Sequence, residues 1–175
     1  MQCTTVEIKA RSTRHTAIRQ LLKSKNADYQ GLDHQIDTYF NVPYGRLKLR
    51  EGAIENYLIH YQRENKQGPK QSNVSLFKSN PESSLKEVLT RALGTQVVVD
   101  KQREIYWIEN VKFHIDEVKN LGTFIEIEAI DQTGVRGLEK LHQQCEFFLN
   151  LFGIANQDLL SESYSDLLIR KTQSI

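Results

Sequence analysis

This 175-residue chain has only two cysteines, three prolines, one tryptophan and a formal charge of +1. Cys3 and Cys145 lie far apart, the second inside a helix-like pattern, and read as reduced thiols rather than a disulfide framework. No cysteine/histidine spacing of the zinc-binding kind is present. Lysine plus arginine total 23 against 22 aspartate plus glutamate, so net charge calls for neither nucleic acid nor an anionic membrane as partner. Any cationic site must come from local segregation of charge. No apolar run approaches the roughly 20 residues that span a bilayer. The chain enters a strand pattern at once, without a signal-peptide pattern, and the expected location is the cytoplasm. Repeats and low-complexity tracts are also lacking, and the expectation is one domain over residues 1–175.

What the chain does have is charge in alternation. A strand sends successive side chains to opposite faces. In Gly122–Asp131, Phe124, Glu126 and Glu128 therefore share one face, and Ile125, Ile127 and Ala129 the other. The two carboxylates fall about 7 Å apart along the strand, and such like charges call for nearby cations or metal. The pattern recurs. Glu7 and Lys9 alternate with Val6 and Ile8; Arg46, Lys48 and Arg50 with Leu47 and Leu49; His114 and Asp116 with Phe113 and Ile115. Lys101 and Arg103 sit at i and i+2. Each segment reads as a strand with one apolar and one ionic face. Strands of this kind can close into a barrel with charge inside, forming a cationic channel with a carboxylate cluster, suited to a polyanion and a divalent metal.

In order, the pattern predicts a strand over 3–10, a helix over about 14–25 capped by Ser12 or Thr13, and an extended run over 28–40 with Gly31 at a bulge or turn. Strands follow at 46–50 and 55–63. Residues 65–73 read as a loop containing Lys70, and 74–78 as a strand. A helix runs to about Leu93, stopped by Gly94. Extended runs at 97–109 and 111–118 precede the glutamate strand. A helix over 135–152 carries Leu138, Leu141, Cys145, Phe148, Leu149 and Phe152 on one side, and Gly153 stops it. A short segment over 161–169 is helical or extended. Short turns between consecutive strands favour antiparallel pairing, and helices do not alternate with strands as in a parallel βαβ sheet.

These segments carry a family resemblance. Val6-Glu-Ile-Lys-Ala10, Asp37-Thr-Tyr-Phe40, Leu47-Lys-Leu-Arg50, Lys101-Gln-Arg103, His114-Ile-Asp-Glu-Val118, Leu121–Glu128 and Ser163-Tyr164, taken in order, resemble the CYTH superfamily of triphosphate tunnel metalloenzymes, in its class IV adenylyl cyclase-like branch. The resemblance implies an α+β fold, an eight-stranded antiparallel β-barrel forming a tunnel with helices packed outside. It implies that Lys9, Lys48, Arg50, Lys101 and Arg103, with Arg63 and Lys70 as additions, hold a triphosphate. It implies Mg²⁺ or Mn²⁺ on Glu7, Glu126 and Glu128, with Glu126, Glu128 and Asp116 in the catalytic set. Two positions depart from the pattern: Thr5 stands where the N-terminal motif has its first glutamate, and Tyr61-Gln62-Arg63 lacks the lysine that usually follows the tyrosine.

The activity so implied is ATP cyclisation to cyclic AMP plus pyrophosphate. The alternative is a triphosphatase acting on tripolyphosphate, thiamine triphosphate or a nucleoside triphosphate. Thr5 motivates a third reading, a non-catalytic module that binds nucleotide or polyphosphate. A barrel for single-stranded nucleic acid would need basic residues interleaved with exposed aromatics; near-neutral charge and paired carboxylates oppose it. The expected partner is a small-molecule triphosphate, with neither nucleic acid nor membrane, and an exposed barrel side would support a homodimer.

Overall fold

A computed structural model of the chain describes residues 2–173. Eight strands are present: β1 (Gln2–Arg11), β2 (Asp28–Phe40), β3 (Arg46–Glu51), β4 (Tyr57–Arg63), β5 (Lys70–Lys78), β6 (Thr95–Ile108), β7 (Val111–Val118) and β8 (Gly122–Asp131). Four α-helices accompany them: α1 (His15–Ser24), α2 (Leu85–Leu93), α3 (Leu138–Leu151) and α4 (Tyr164–Gln173). The strands close into a barrel in the order β1-β5-β4-β3-β2-β6-β7-β8, every neighbouring pair antiparallel.

The alternation in sequence becomes the two sides of the barrel wall. Val6, Ile8 and Ala10 of β1, Phe113 and Ile115 of β7, and Ile125, Ile127 and Ala129 of β8 point outward. They form the main core with Ile18 and Leu22 of α1 and Leu141, Cys145 and Phe148 of α3. Each Val, Ile, Leu or Phe side chain among them contributes about 1.5–3 kcal/mol when fully buried. Phe113 meets Phe148 edge to face at 4.7 Å between centroids. A second cluster sits inside one end of the barrel, where Tyr164 and Leu167 of α4 pack against Tyr39, Tyr61, Val99, Val118 and Phe124. Thus α4, the segment readable as helical or extended, is helical and closes that end.

Gly31 lies at a register shift between β2 and β6 with φ 130°, the bulge its position suggested. Three expected boundaries move. β5 begins at Lys70 rather than at Val74, because Lys70–Asn73 pair with β1 and Ser72–Asn73 also with β4. β4 begins at Tyr57, which leaves Glu55 in the β3–β4 loop. α3 begins at Leu138, because the Asp131 carboxylate accepts backbone N–H bonds from Thr133, Gly134, Arg136 and Gly137 and organises that stretch as a tight loop. Leu138, expected in the apolar stripe, is consequently exposed.

Candidate functional site

The inward faces of the strands enclose a cavity of about 590 Å³. Its lining includes eight basic side chains (Lys9, Lys48, Arg50, Arg63, Lys78, Lys101, Arg103, Lys112) and five acidic ones (Glu7, Asp37, Glu55, Glu126, Glu128). A chain of nearly balanced charge has therefore concentrated cations on one concave surface.

Two carboxylate hubs hold most of these cations in place. The first is Asp37 on β2. Arg50 donates to it from Nε (2.8 Å) and Nη2 (2.9 Å), and Lys48 and Lys101 each donate from Nζ at 2.8 Å. The register explains the meeting: Asp37 pairs with Arg50 across β3, while Lys101 sits on β6 opposite Gln35. Burial alone would raise the Asp37 carboxyl; Arg50, Lys101 and Lys48 outweigh it and hold the group well below the usual carboxylate range. Burial pushes Lys101 well below the ordinary lysine value, with Asp37 opposing.

The second hub joins β6, β7 and β8. Arg103 donates to Asp116 from Nε (2.7 Å) and Nη2 (2.5 Å) and to Glu126 from Nη2 (2.8 Å). Lys9 also pairs with Glu126, and His114 Nδ1 lies 2.9 Å from its other oxygen. Burial would raise Glu126, but Arg103 and Lys9 keep it well below the usual range. His114 is 2% exposed, and burial, reinforced by Arg103, pushes it down to about 3. It is therefore neutral, with its proton on Nδ1 in the tautomer that satisfies Glu126. Tyr164 donates its hydroxyl to Asp116 at 2.8 Å, and Lys9 sits 3.5 Å above the same ring.

Glu126, Glu128, Glu7, Lys9, Lys48, Arg50, Arg63, Lys101 and Arg103 all meet at the one cavity. Two candidates do not line it. Asp116 lies behind Arg103 and Tyr164 with no exposed surface. Lys70 is also fully buried and donates from Nζ to the Leu160 carbonyl at 2.6 Å, tying the segment before α4 to the wall. It shares the parity of the lining residues Ser72, Val74 and Lys78 and stands opposite Glu7, but its ammonium is taken up by the Leu160 carbonyl rather than presented to the cavity. Asp37, Glu55, Lys78 and Lys112 join the lining beyond the residues expected from sequence. Lys112 carries a readable signal, two residues before His114 on the same face; Asp37 lies in the Asp37–Phe40 motif, which marks its position but not its role; Glu55 lies outside any strand, where alternation says nothing.

Arg63 differs from the other cations. Its guanidinium pairs with Glu7, and its side chain is 3% exposed, yet Nε and Nη2 have no hydrogen-bond partner among the described residues. Two neighbouring buried donors of one guanidinium without partners are an unmet cost at the cavity wall that two oxygens of one phosphate would relieve.

A divalent cation would find hard oxygen donors here. Among the described residues no three His, Cys, Asp or Glu side chains form a ready-made cation cage. Mg²⁺ typically uses one or two carboxylates and completes its shell with water and substrate phosphate oxygens. Glu7 and Glu128 face each other directly across β1 and β8. Glu128 accepts no hydrogen bond among the described residues, and burial raises its carboxyl above the ordinary value; a cation would relieve that cost. The pair offers oxygen donors that fit Mg²⁺ or Mn²⁺, with Glu7 exchanging its single partner Arg63 for the cation, whereas Glu126 is held by three partners, Lys9, Arg103 and His114.

Comparison with known proteins agrees with this geometry. The family model described as CYTH domain matches residues 4–164. The chain is 24% identical to a candidate adenylate cyclase of Methanocaldococcus jannaschii, covering 93% of this chain and 97% of that one. A solved structure from Pyrococcus horikoshii superposes with a TM-score of 0.73 at 22% identity, covering 93% of this chain and 98% of the other. A Hippeastrum adenylyl cyclase candidate, described as having a dominant triphosphatase activity, superposes with a TM-score of 0.61 at 15% identity, covering 97% and 96%. Among the described residues no helix is long and apolar enough to cross a membrane.

Proposed function

Because the chain belongs to the CYTH domain family, we propose that it is a metal-dependent enzyme that binds a triphosphate in its barrel and converts ATP to cyclic AMP and pyrophosphate. The observation that carries the reading is the unpaired Nε/Nη2 edge of Arg63 at a cavity lined by eight basic side chains. Arg63 and Lys9 bind phosphate oxygens on the β4 and β1 side. Lys48, Arg50 and Lys101, held by Asp37, face the chain from the other wall. Arginine supplies fixed bidentate geometry and lysine a movable point charge, so a flexible phosphate chain is oriented at several points. Glu7 and Glu128 would hold Mg²⁺ or Mn²⁺, which supplies charge neutralisation on the phosphate oxygens. Glu126 positions Lys9, Arg103 and His114.

In cyclisation the ribose 3′-oxygen bonds to the α-phosphorus, and the bond to the β-phosphate oxygen breaks. Triphosphate hydrolysis uses the same phosphate grip with water as nucleophile, and the activity described for the Hippeastrum neighbour makes it the second reading. Product analysis separates the two. Purified protein is incubated with ATP, tripolyphosphate or thiamine triphosphate, each with Mg²⁺ or Mn²⁺. Cyclic AMP with pyrophosphate supports the cyclase; orthophosphate without cyclic nucleotide replaces it with the triphosphatase; ligand-induced thermal stabilisation without product leaves a binding module.

A further inference from the structure

The closed strand order makes one ion pair unusual. β4 and β7 stand opposite each other, with β3, β2 and β6 between them one way round and β5, β1 and β8 the other way. Glu55, two residues before β4, nevertheless pairs with Lys112 of β7, and so reaches across the barrel. It also accepts from Arg50 Nη1 at 2.9 Å and from Gln35 Nε2 at 3.1 Å. This takes place at the end of the barrel away from α4, where the β3–β4 loop turns.

The loop is built to hold that carboxylate there. Asp33, fully buried, accepts backbone N–H bonds from Ala53 (2.7 Å), Ile54 (2.9 Å) and Glu55 (3.1 Å). Gly52 passes so close that a Cβ would come within 2.7 Å of the Asp33 Oδ2. Asn56 ties the turn from both sides, accepting from the Gly52 N–H and donating to its carbonyl. With the backbone pinned, only the Glu55 side chain is left to move. It occupies two cavity-lining cations, Arg50 and Lys112, which a phosphate entering from that end would meet.

Resting on the triphosphate reading above, we propose that Glu55 is a tethered competitor for substrate phosphate and thereby sets a minimum charge for entry. A ligand must take Arg50 and Lys112 from a carboxylate that is already in place. A single phosphate offers those two cations little more than Glu55 does, and it also meets repulsion from Glu55. A triphosphate gains further contacts deeper in the cavity, at Arg63 and Lys9, that outweigh the displacement. The carboxylate then swings aside while the Asp33-bound loop stays still. Selectivity for long phosphate chains would thus come from a negative charge placed among the positive ones.

The test is calorimetric binding of orthophosphate, pyrophosphate and tripolyphosphate to the wild type and to Glu55→Gln, without metal. The wild type should prefer tripolyphosphate strongly. Glu55→Gln should bind orthophosphate and pyrophosphate about tenfold more tightly, with a smaller gain for tripolyphosphate, so the preference narrows. Glu55→Ala should narrow it in the same direction, and stands in if the glutamine variant melts early without ligand. Tripolyphosphate binding with an unchanged preference, or equal weakening of all three ligands, would overturn this inference alone. Absence of tripolyphosphate binding by the wild type both without metal and with Mg²⁺ added would overturn the triphosphate reading and this inference with it.

Discussion

Arg103 and Asp116 stand directly opposite each other on β6 and β7, joined by two parallel hydrogen bonds of 2.7 and 2.5 Å, both side chains almost wholly buried. Such a pair is costly to break from one side, because the partner is left charged and dry. Arg103→Ala should lower stability by about 3–5 kcal/mol in urea titrations. It should also weaken tripolyphosphate binding more than orthophosphate binding; equal weakening of both would count against a cavity that grips several phosphates.

Glu126 gathers Lys9, Arg103 and His114 from three strands. Glu126→Gln keeps the shape but removes the charge that sets their positions. Turnover should fall at least about a hundredfold while far-UV circular dichroism is unchanged. Full activity in this variant would remove Glu126 from the mechanism.

Lys70 is a buried cation, pushed down to about 7 by burial and then by Arg63 and Lys9. In the unfolded chain its value is the ordinary 10.5. Between these limits the unfolded state binds more protons, so this group makes stability rise with pH from about 7 toward 10.5. Lys70→Met should flatten that rise between pH 7 and 9.5, as read from urea midpoints. An unchanged slope would show that the Lys70 ammonium is not strained in the folded state.

His114, held near 3 against an ordinary 6.5, is a group whose charging opposes the fold. Its contribution to stability is complete above about 6.5 and is lost as pH falls toward 3. Long-range ¹⁵N–¹H spectra from pH 5 to 8 should show one imidazole that does not titrate, with its proton on Nδ1. Titration near the ordinary value would mean the ring is wetter than its 2% exposure implies.

The barrel was legible because its rule is local. Val6-Glu-Ile-Lys-Ala10 and Phe124–Ala129 declare a period of two, and a strand with one ionic face and one apolar face has few places to go. The cavity-facing residues followed from that parity. Residues whose environment depends on the tertiary course of the chain were less visible. Lys70 directly follows Gly68-Pro69 and reads as loop, yet β1 draws it into the sheet opposite Glu7. Asp116 shares the parity of His114, but Arg103 and Tyr164 close over it. Glu55 lies outside any strand, and its reach to Lys112 depends on which strands end up opposite each other.

The seam between β1 and β8 pairs Lys9 with Glu126, positions 117 apart in the chain. A ribosome finishes the first side of that seam long before the second exists. Until then Lys9 and Glu7 are ordinary solvated charges on an unpaired edge. The seam cannot zip until β8 has emerged, and a closure spanning so much chain is entropically slow. Assembly of the cavity's second hub is thus tied to a long-range closure, so nascent fragments that have not made the turn at Asn120–Gly122 cannot yet hold a phosphate chain in this way.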